Sequence, residues 1–432
     1  MSTPTLHIIL FIVLASLFIS TRGDDQSRTD VALFIFGDSV NDVGTNNYIN
    51  TTADFRANFP PYCETFFRHP TGRFSNGRLI VDFIAEYANL PLIPPYLQMK
   101  DDEFMGGANF ASAGAGALGD TYEGFVVDLK MQLKQLEQLE KKLEKEMGSE
   151  RAKKIIKEGV YLISIGSSEY ALPFFSNPTL FQSISMEDYV GMVIGNITTV
   201  LKGIYEVGGR KFAMIGIGQL GCVPIMRPAE NGSCSGEANK LAQLHNVALT
   251  SILAKLEAQL QGFEYSYFDY YTSGSERIHY PSKYGFKEAE TACCGSGPYR
   301  ANSSCGGQRG EKEFSLCHDP ENYVFFDSDH ASERANRQFA QLMWNGSLSI
   351  IRPRNLKALF KHEGSNAKEL KVRKGRGKRV DYITQPIKLW VTLVMHLFLY
   401  VGQSLGPPKY FRKDNSIREI TSILRLKPSM VP

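Results

Sequence analysis

Apolar residues fall in two rhythms along this chain. Short runs that are apolar on both faces recur at LFIF (33–36), VYLISIG (160–166), KFAMIGIGQLGC (211–222) and FEYSYFDYY (263–271). Such runs read as strands buried from both sides. Between them, apolar positions repeat at helical spacing in RLIVDFIAEYA (78–88), MEDYVGMVIGNITTVLKGIYEVG (186–208) and ANKLAQLHNVALTSILAKLEAQL (238–260). Residues 126–158 set apolar positions among Lys, Gln and Glu, which predicts a surface helix packed on the sheet rather than a coiled coil. PLIPPYL (91–97) is broken by proline, and GGANFASAGAGAL (106–118) is small enough for backbone or ligand to approach closely. Strand alternating with helix predicts an α/β fold with a central parallel sheet covered on both faces.

Two segments stand outside that alternation. LHIILFIVLASLFI (6–19), followed by Ser20, Thr21, Arg22 and Gly23, is too short to span a bilayer and reads as a signal-peptide core, so residues 1–23 are expected to be a cleaved leader. From Lys361 to Pro432 there are 15 Lys/Arg against 5 Asp/Glu, and KVRKGRGKR (371–379) reads as disordered. LWVTLVMHLFLYVG (389–402) is also too short to span, so no stable membrane span is expected. With that +10 set aside from the whole-chain +3, the first 360 residues carry −7. An acidic body gives a nucleic-acid partner no support.

The composition, 43% apolar and 22% charged, is that of an ordinary globular protein. Of seven cysteines, six lie between 222 and 317 and none forms a CxxC, so behind a leader they read as disulfides rather than metal ligands. Cys222 and Cys234 are expected to pair across a short Pro/Gly-rich segment. Cys293, Cys294, Cys305 and Cys317 should form two bridges of undetermined connectivity, and Cys63 stays unpaired. Five N-x-[ST] sequons, at Asn50, Asn196, Asn231, Asn302 and Asn345, favour a secreted glycoprotein, extracellular or in the cell wall.

The candidate chemistry begins in LFIFGDSVNDVG (33–44), where a buried strand runs into a turn that displays Ser39. In open α/β sheets, sites gather at the carboxyl ends of strands, and Ser39 and Ser168 both stand at such ends. A serine nucleophile needs a base and a group that orients the base. Of eight histidines, His330 is singled out by YVFFDSDHASERANRQFA (323–340), where an apolar strand is expected to end in a polar turn. Asp327, three residues earlier, can reach the imidazole across such a turn. Asp329 reads as a solvated turn residue. Ser332 and Glu333 read as the start of a helix, where an acid suits the dipole.

FIFGDSVNDVG, GANFASAGAG and FFDSDHASERAN, in this order and at these separations, resemble the plant GDSL esterase/lipase family, of SGNH-hydrolase type. TGRFSNGRLIVDFIAEYANLPLIPPYL, GQLGCVP and ACCGSG are similar to it as well, so the resemblance covers roughly residues 30–358. It implies a three-layer, flavodoxin-like α/β fold. It also implies a Ser-His-Asp site with Ser39 as nucleophile, His330 as base and Asp327 as its partner. The backbone N–H groups of Ser39 and Gly114 would be oxyanion donors, and no metal or organic cofactor is needed. One position departs. Where the family has Gly-x-Asn-Asp, this chain has Gly166-Ser167-Ser168-Glu169, so Ser168 replaces a side-chain oxyanion donor with a shorter arm. Loss of one such donor typically costs ~10²–10³ in kcat.

These residues predict a secreted serine esterase or lipase acting on an ester or lipid substrate through an acyl-enzyme. Acyl transfer to an alcohol would use the same groups. A rival reading from another class is an extracellular binding or defence protein whose hydrolase site is weakened or dead.

Overall fold

A computed structural model describes residues 31–100 and 104–361. The expected leader and most of the basic C-terminal extension lie outside these residues. Five parallel strands make the centre: β1 (Leu33–Gly37), β2 (Gly107–Asn109), β3 (Val160–Ser164), β4 (Lys211–Ile215) and β5 (Glu264–Phe268). A two-residue ribbon, β6 (Cys294–Gly295) with β7 (Ser315–Leu316), stands apart, and β8 (Ile351–Arg352) closes the main sheet antiparallel to β5. The order β2-β1-β3-β4-β5-β8 is the doubly wound order of flavodoxin with one added edge strand.

Side-chain alternation sorts the strands into two buried faces. Phe34, Phe36, Tyr161, Ile163, Phe212 and Met214 face one core, while Leu33, Ile35, Val160, Leu162, Ala213 and Ile215 face the other. Helix α1 (Ile80–Tyr87) covers the second face, contributing Ile80, Phe83 and Ile84. The first face is covered by α2 (Leu129–Met147), α3 (Ser149–Glu158), α4 (Ser167–Ser176), α5 (Met186–Val207) and α6 (Gly236–Gln259). After β5 come α7 (Tyr270–His279) and α8 (Glu333–Asn345), whose Phe339 and Met343 complete the second face. Three layers result, as the resemblance implies.

Local chemistry corrects several boundaries. The helix expected over 126–158 is two, because Gly148 takes φ +83° between α2 and α3. The run FEYSYFDYY is not one strand. Asp269 accepts from the Thr272 amide and so caps α7, which ends the extended backbone at Phe268. The apolar segment before Asp327 is no strand of the sheet. Its amides and carbonyls pair instead with 288–294, through Val324 N–H to the Glu288 carbonyl and the amides of Cys293 and Cys294 to Phe325 and Phe326. The expected helix start holds, since Ser332 Oγ accepts from the Ala335 amide.

Cys222 pairs with Cys234, Cys293 with Cys317 and Cys294 with Cys305. Cys63 is free and buried. The last four bridged cysteines pack with Tyr62, Phe74, Ala113 and Phe326 in a third cluster beside the carboxyl ends of the strands.

Candidate active site

The strand end at β1 is shaped by Gly37. Its φ is +132°, and a Cβ there would stand 2.0 Å from the Ser164 carbonyl oxygen, so a larger residue is barred. The chain can therefore turn while the Asp38 amide donates to Ser164 at 3.2 Å. Gln132, buried on α2, clamps the same point. Its Oε1 accepts from Gly37 N–H at 2.8 Å, and its Nε2 donates to the Gly37 and Val127 carbonyls at 2.9 Å. Asn41 donates to the Phe36 carbonyl at 2.9 Å, closing the turn. Ser39 is left at the carboxyl end of β1, with Ser167 and Ser168 at that of neighbouring β3. This is the β1/β3 switch point, where doubly wound sheets open a crevice.

His330 arrives from a turn that Asp327 builds. Asp327 Oδ1 accepts from the backbone amide of His330 at 2.8 Å and from that of Asp329 at 3.2 Å. The same oxygen lies 2.8 Å from His330 Nδ1. His330 Nε2 lies 2.7 Å from Ser39 Oγ across 291 residues of chain. With Asp327 ionised, Nδ1–H donates to it and Nε2 is left to accept from the serine hydroxyl. Phe74 packs on the imidazole at 4.7 Å between centroids. Asp329, half exposed, lies 3.4 Å from Nδ1, nearer than a solvated turn residue need be.

The charges of this group shift one another. Burial alone would lower the His330 pKa, but Asp327 first and then Asp329 raise it to about 9. Burial would raise Asp327, yet the His330 charge and hydrogen bond hold it well below the usual carboxylate range. These are one interaction seen from both ends.

Two residues with no motif around them hold the outer oxygen of Asp327. Fully buried Tyr62 donates to Oδ2 at 2.7 Å and accepts from Arg309 Nη1 at 2.8 Å. Arg309 also donates to the carbonyls of Ala53 and Arg56, and it sits on the segment between Cys305 and Cys317.

Across the serine, the small-residue loop after β2 is held by Asp42. Its two oxygens accept from the amides of Gly44 and Thr45 at 2.7 Å and of Ala113 at 2.9 Å. Asn46 donates to the Ala113 carbonyl at 2.9 Å. Gly114 follows with φ +82°, where a Cβ would strike the Phe55 ring at 2.5 Å. The amides of Ser39 and Gly114 donate to no other group among the described residues, and both residues line one cavity. Ser168, second in α4, lines it too, half-buried, with no hydrogen bond from its hydroxyl among the described residues. Its neighbour Ser167 lines the cavity as well, and buried Glu169 accepts from the amides of Ala117 and, at 3.0 Å, Leu118. Burial raises Asp38 and Asp42 to about 6 and Glu169 to about 7.

The structure thus brings Ser39, His330, Gly114 and Ser168 to one cavity of about 470 Å³, with Asp327 bonded to His330 behind it. The other described histidines stay away from it: His69, His279 and His318 are exposed, and His245 is buried against Tyr170. Sequence reasoning missed Gln132, Tyr62, Arg309 and Asp42. Gln132 leaves a trace, as a polar residue at an apolar-face position of α2, and Asp42 stands in the same run as Ser39.

A serine hydroxyl joined to an imidazole that a buried carboxylate orients, on an α/β sheet, is the constellation of a serine hydrolase. A family model described as GDSL-like lipase/acylhydrolase matches residues 33–343. GDSL esterase/lipase 5 of Arabidopsis thaliana is 49% identical over 350 residues, covering 79% of this chain and 90% of that protein. A GDSL lipase of Tanacetum cinerariifolium is 48% identical, covering 79% and 90%. An Inactive GDSL esterase/lipase-like protein 25 of Arabidopsis thaliana is 34% identical, covering 76% and 74%. This chain belongs to the GDSL-like lipase/acylhydrolase family, and as such it is a carboxylic ester hydrolase.

Proposed function

We propose that the protein is a secreted esterase or lipase that cleaves acyl esters through an acyl-enzyme on Ser39, and that it acts in lipid breakdown. The observation that carries this reading is the unbroken line of hydrogen bonds from Ser39 Oγ through His330 to Asp327, at 2.7 and 2.8 Å. Ser39 Oγ attacks the ester carbonyl carbon while its proton passes to His330 Nε2. The carbonyl oxygen takes up the charge and meets the free amides of Ser39 and Gly114. Collapse expels the alcohol, which takes the proton back from His330. Water then repeats the sequence on the acyl-Ser39, releasing the acid.

Secretion is supported by the apolar leader and by three disulfides, which persist in oxidising compartments. The asparagines of all five sequons are exposed, as glycosylation requires. No helix among the described residues is long and apolar enough to cross a membrane.

A second reading, a binding or defence protein with a weakened site, draws on Ser168 and on the relative named as inactive. Purified Ser39→Ala decides between them. Loss of ester turnover and of fluorophosphonate labelling, with folding and secretion intact, is the expected result. Unchanged turnover in Ser39→Ala removes the serine from the mechanism, and a wild-type protein that neither turns over nor labels favours the binding protein.

A further inference from the structure

The cavity's chemistry divides sharply by sign. Among the described residues no lysine or arginine lines it. Its carboxyl lining groups are Asp54 and Asp329, both solvent-exposed and therefore at its open side. Hydrocarbon from Ile217, Val223, Ile225, Val324 and Phe339 makes up much of the rest, with neutral polar groups such as Gln219 and Asn336 between. Phosphate recognition ordinarily uses an arginine fork or a helix N-terminus. The first turn of α4 does line the cavity, but it carries the carboxyl of Glu169 and no cation. An anionic substrate would have to pass two carboxylates, and His330, a cation of the lining while protonated, must be neutral to act as the base.

Size sets a second limit. A cavity of about 470 Å³ holds on the order of 19 non-hydrogen atoms, at the ~25 Å³ per carbon implied when a 150 Å³ apolar cavity takes up benzene. That is the size of a p-nitrophenyl octanoate.

We infer that the site takes medium-length acyl esters of uncharged alcohols and turns away esters bearing a phosphate or another anion. The inference rests on the hydrolase reading and narrows it. The same field that repels an anionic substrate speeds departure of the carboxylate product, whose charge appears only after the second step.

The test uses the purified full-length protein and two substrate sets. One is p-nitrophenyl esters from acetyl to palmitoyl. The other is a matched pair of butyrate esters, of 4-hydroxybenzamide (neutral) and 4-hydroxybenzoate (anionic), each normalised to its hydroxide hydrolysis rate. The expected result is a kcat/KM that peaks near the octanoyl ester and favours the neutral butyrate at least tenfold. Salt should narrow that gap, and so should Asp54→Lys. Asp54→Asn should act in the same direction by less, which keeps the test valid if lysine is poorly tolerated. Equal or better turnover of the anionic ester, a gap that both variants leave untouched, or a peak at acetyl or palmitoyl would overturn the inference. Fluorophosphonate labelling run in parallel separates the two failures. A labelled protein that does not discriminate refutes this inference alone, while one that neither labels nor hydrolyses refutes the hydrolase reading and this one with it.

Discussion

Tyr62 has no place in any recognisable motif, yet its hydroxyl fills the second lone-pair position of Asp327 and is itself held by Arg309. Removing that hydroxyl leaves a buried carboxylate oxygen and a guanidinium N–H without partners, a loss of about 1–3 kcal/mol. Tyr62→Phe is therefore expected to fold with a lower Tm and to lose about tenfold in kcat, as Asp327 and the imidazole drift from register. Because the tyrosine acts through Asp327, the acid limb of the pH–rate profile should move as well. A variant that loses Tm but keeps both kcat and the profile would make Tyr62 merely structural. Ser168 carries the opposite expectation. It lines the cavity with a hydroxyl that bonds nothing among the described residues, and an asparagine amide would reach further toward the developing oxyanion. Ser168→Asn should raise kcat on a simple ester, by up to ~10²-fold if nothing else compensates. A change in KM alone would assign the residue to substrate binding instead.

At the scale of elements, the site depends on how each strand stops. Gly37→Ala would press a Cβ onto the Ser164 carbonyl at 2.0 Å and strain a φ of +132°. It is expected to cost several kcal/mol, read as a large drop in the denaturant midpoint, with ester turnover lost even where the protein is soluble. Wild-type turnover would mean that β1 and β3 can part there without cost. The strands themselves were legible, because each is apolar on both faces and only a sheet covered twice produces that pattern. Ser39, Asp327 and His330 were legible because strand end and tight turn put them in short, ordered stretches. The segment before Asp327 was misread, since its backbone pairs with residues 288–294 rather than with a strand of the sheet, and periodicity does not distinguish the two. Tyr62 and Arg309 were invisible for a different reason. Tyr62 meets Asp327 from 265 residues away and Arg309 across 247, and no local pattern encodes contacts that distant.

For the molecule as a whole, pH pulls stability and activity in opposite directions. Burial raises Asp38, Asp42 and Glu169 to between about 6 and 7, so each favours the folded state while protonated. Their contribution is full below about pH 4 and is lost as pH rises through 6 to 7, on the order of 3 kcal/mol for each. His330, raised to about 9, adds a term of the same sign that fades between about 6.5 and 9. Catalysis needs that imidazole neutral, so kcat/KM should climb toward pH 9 while Tm falls from pH 5 to pH 9. Calorimetry beside a pH–rate profile checks both, and a Tm that rises with pH, or an acid limb below 6.5, contradicts the account. The span of 291 residues between Ser39 and His330 has a consequence for biosynthesis. Translation at 5–20 residues per second delivers the serine roughly 15–60 s before the imidazole that must activate it. Nascent chains and every product of premature termination upstream of Asp327 therefore carry an ordinary, unreactive alcohol. On the proposed mechanism the enzyme is born harmless to the esters around the ribosome, and it acquires its reactivity only once His330 has been made and folded against Ser39.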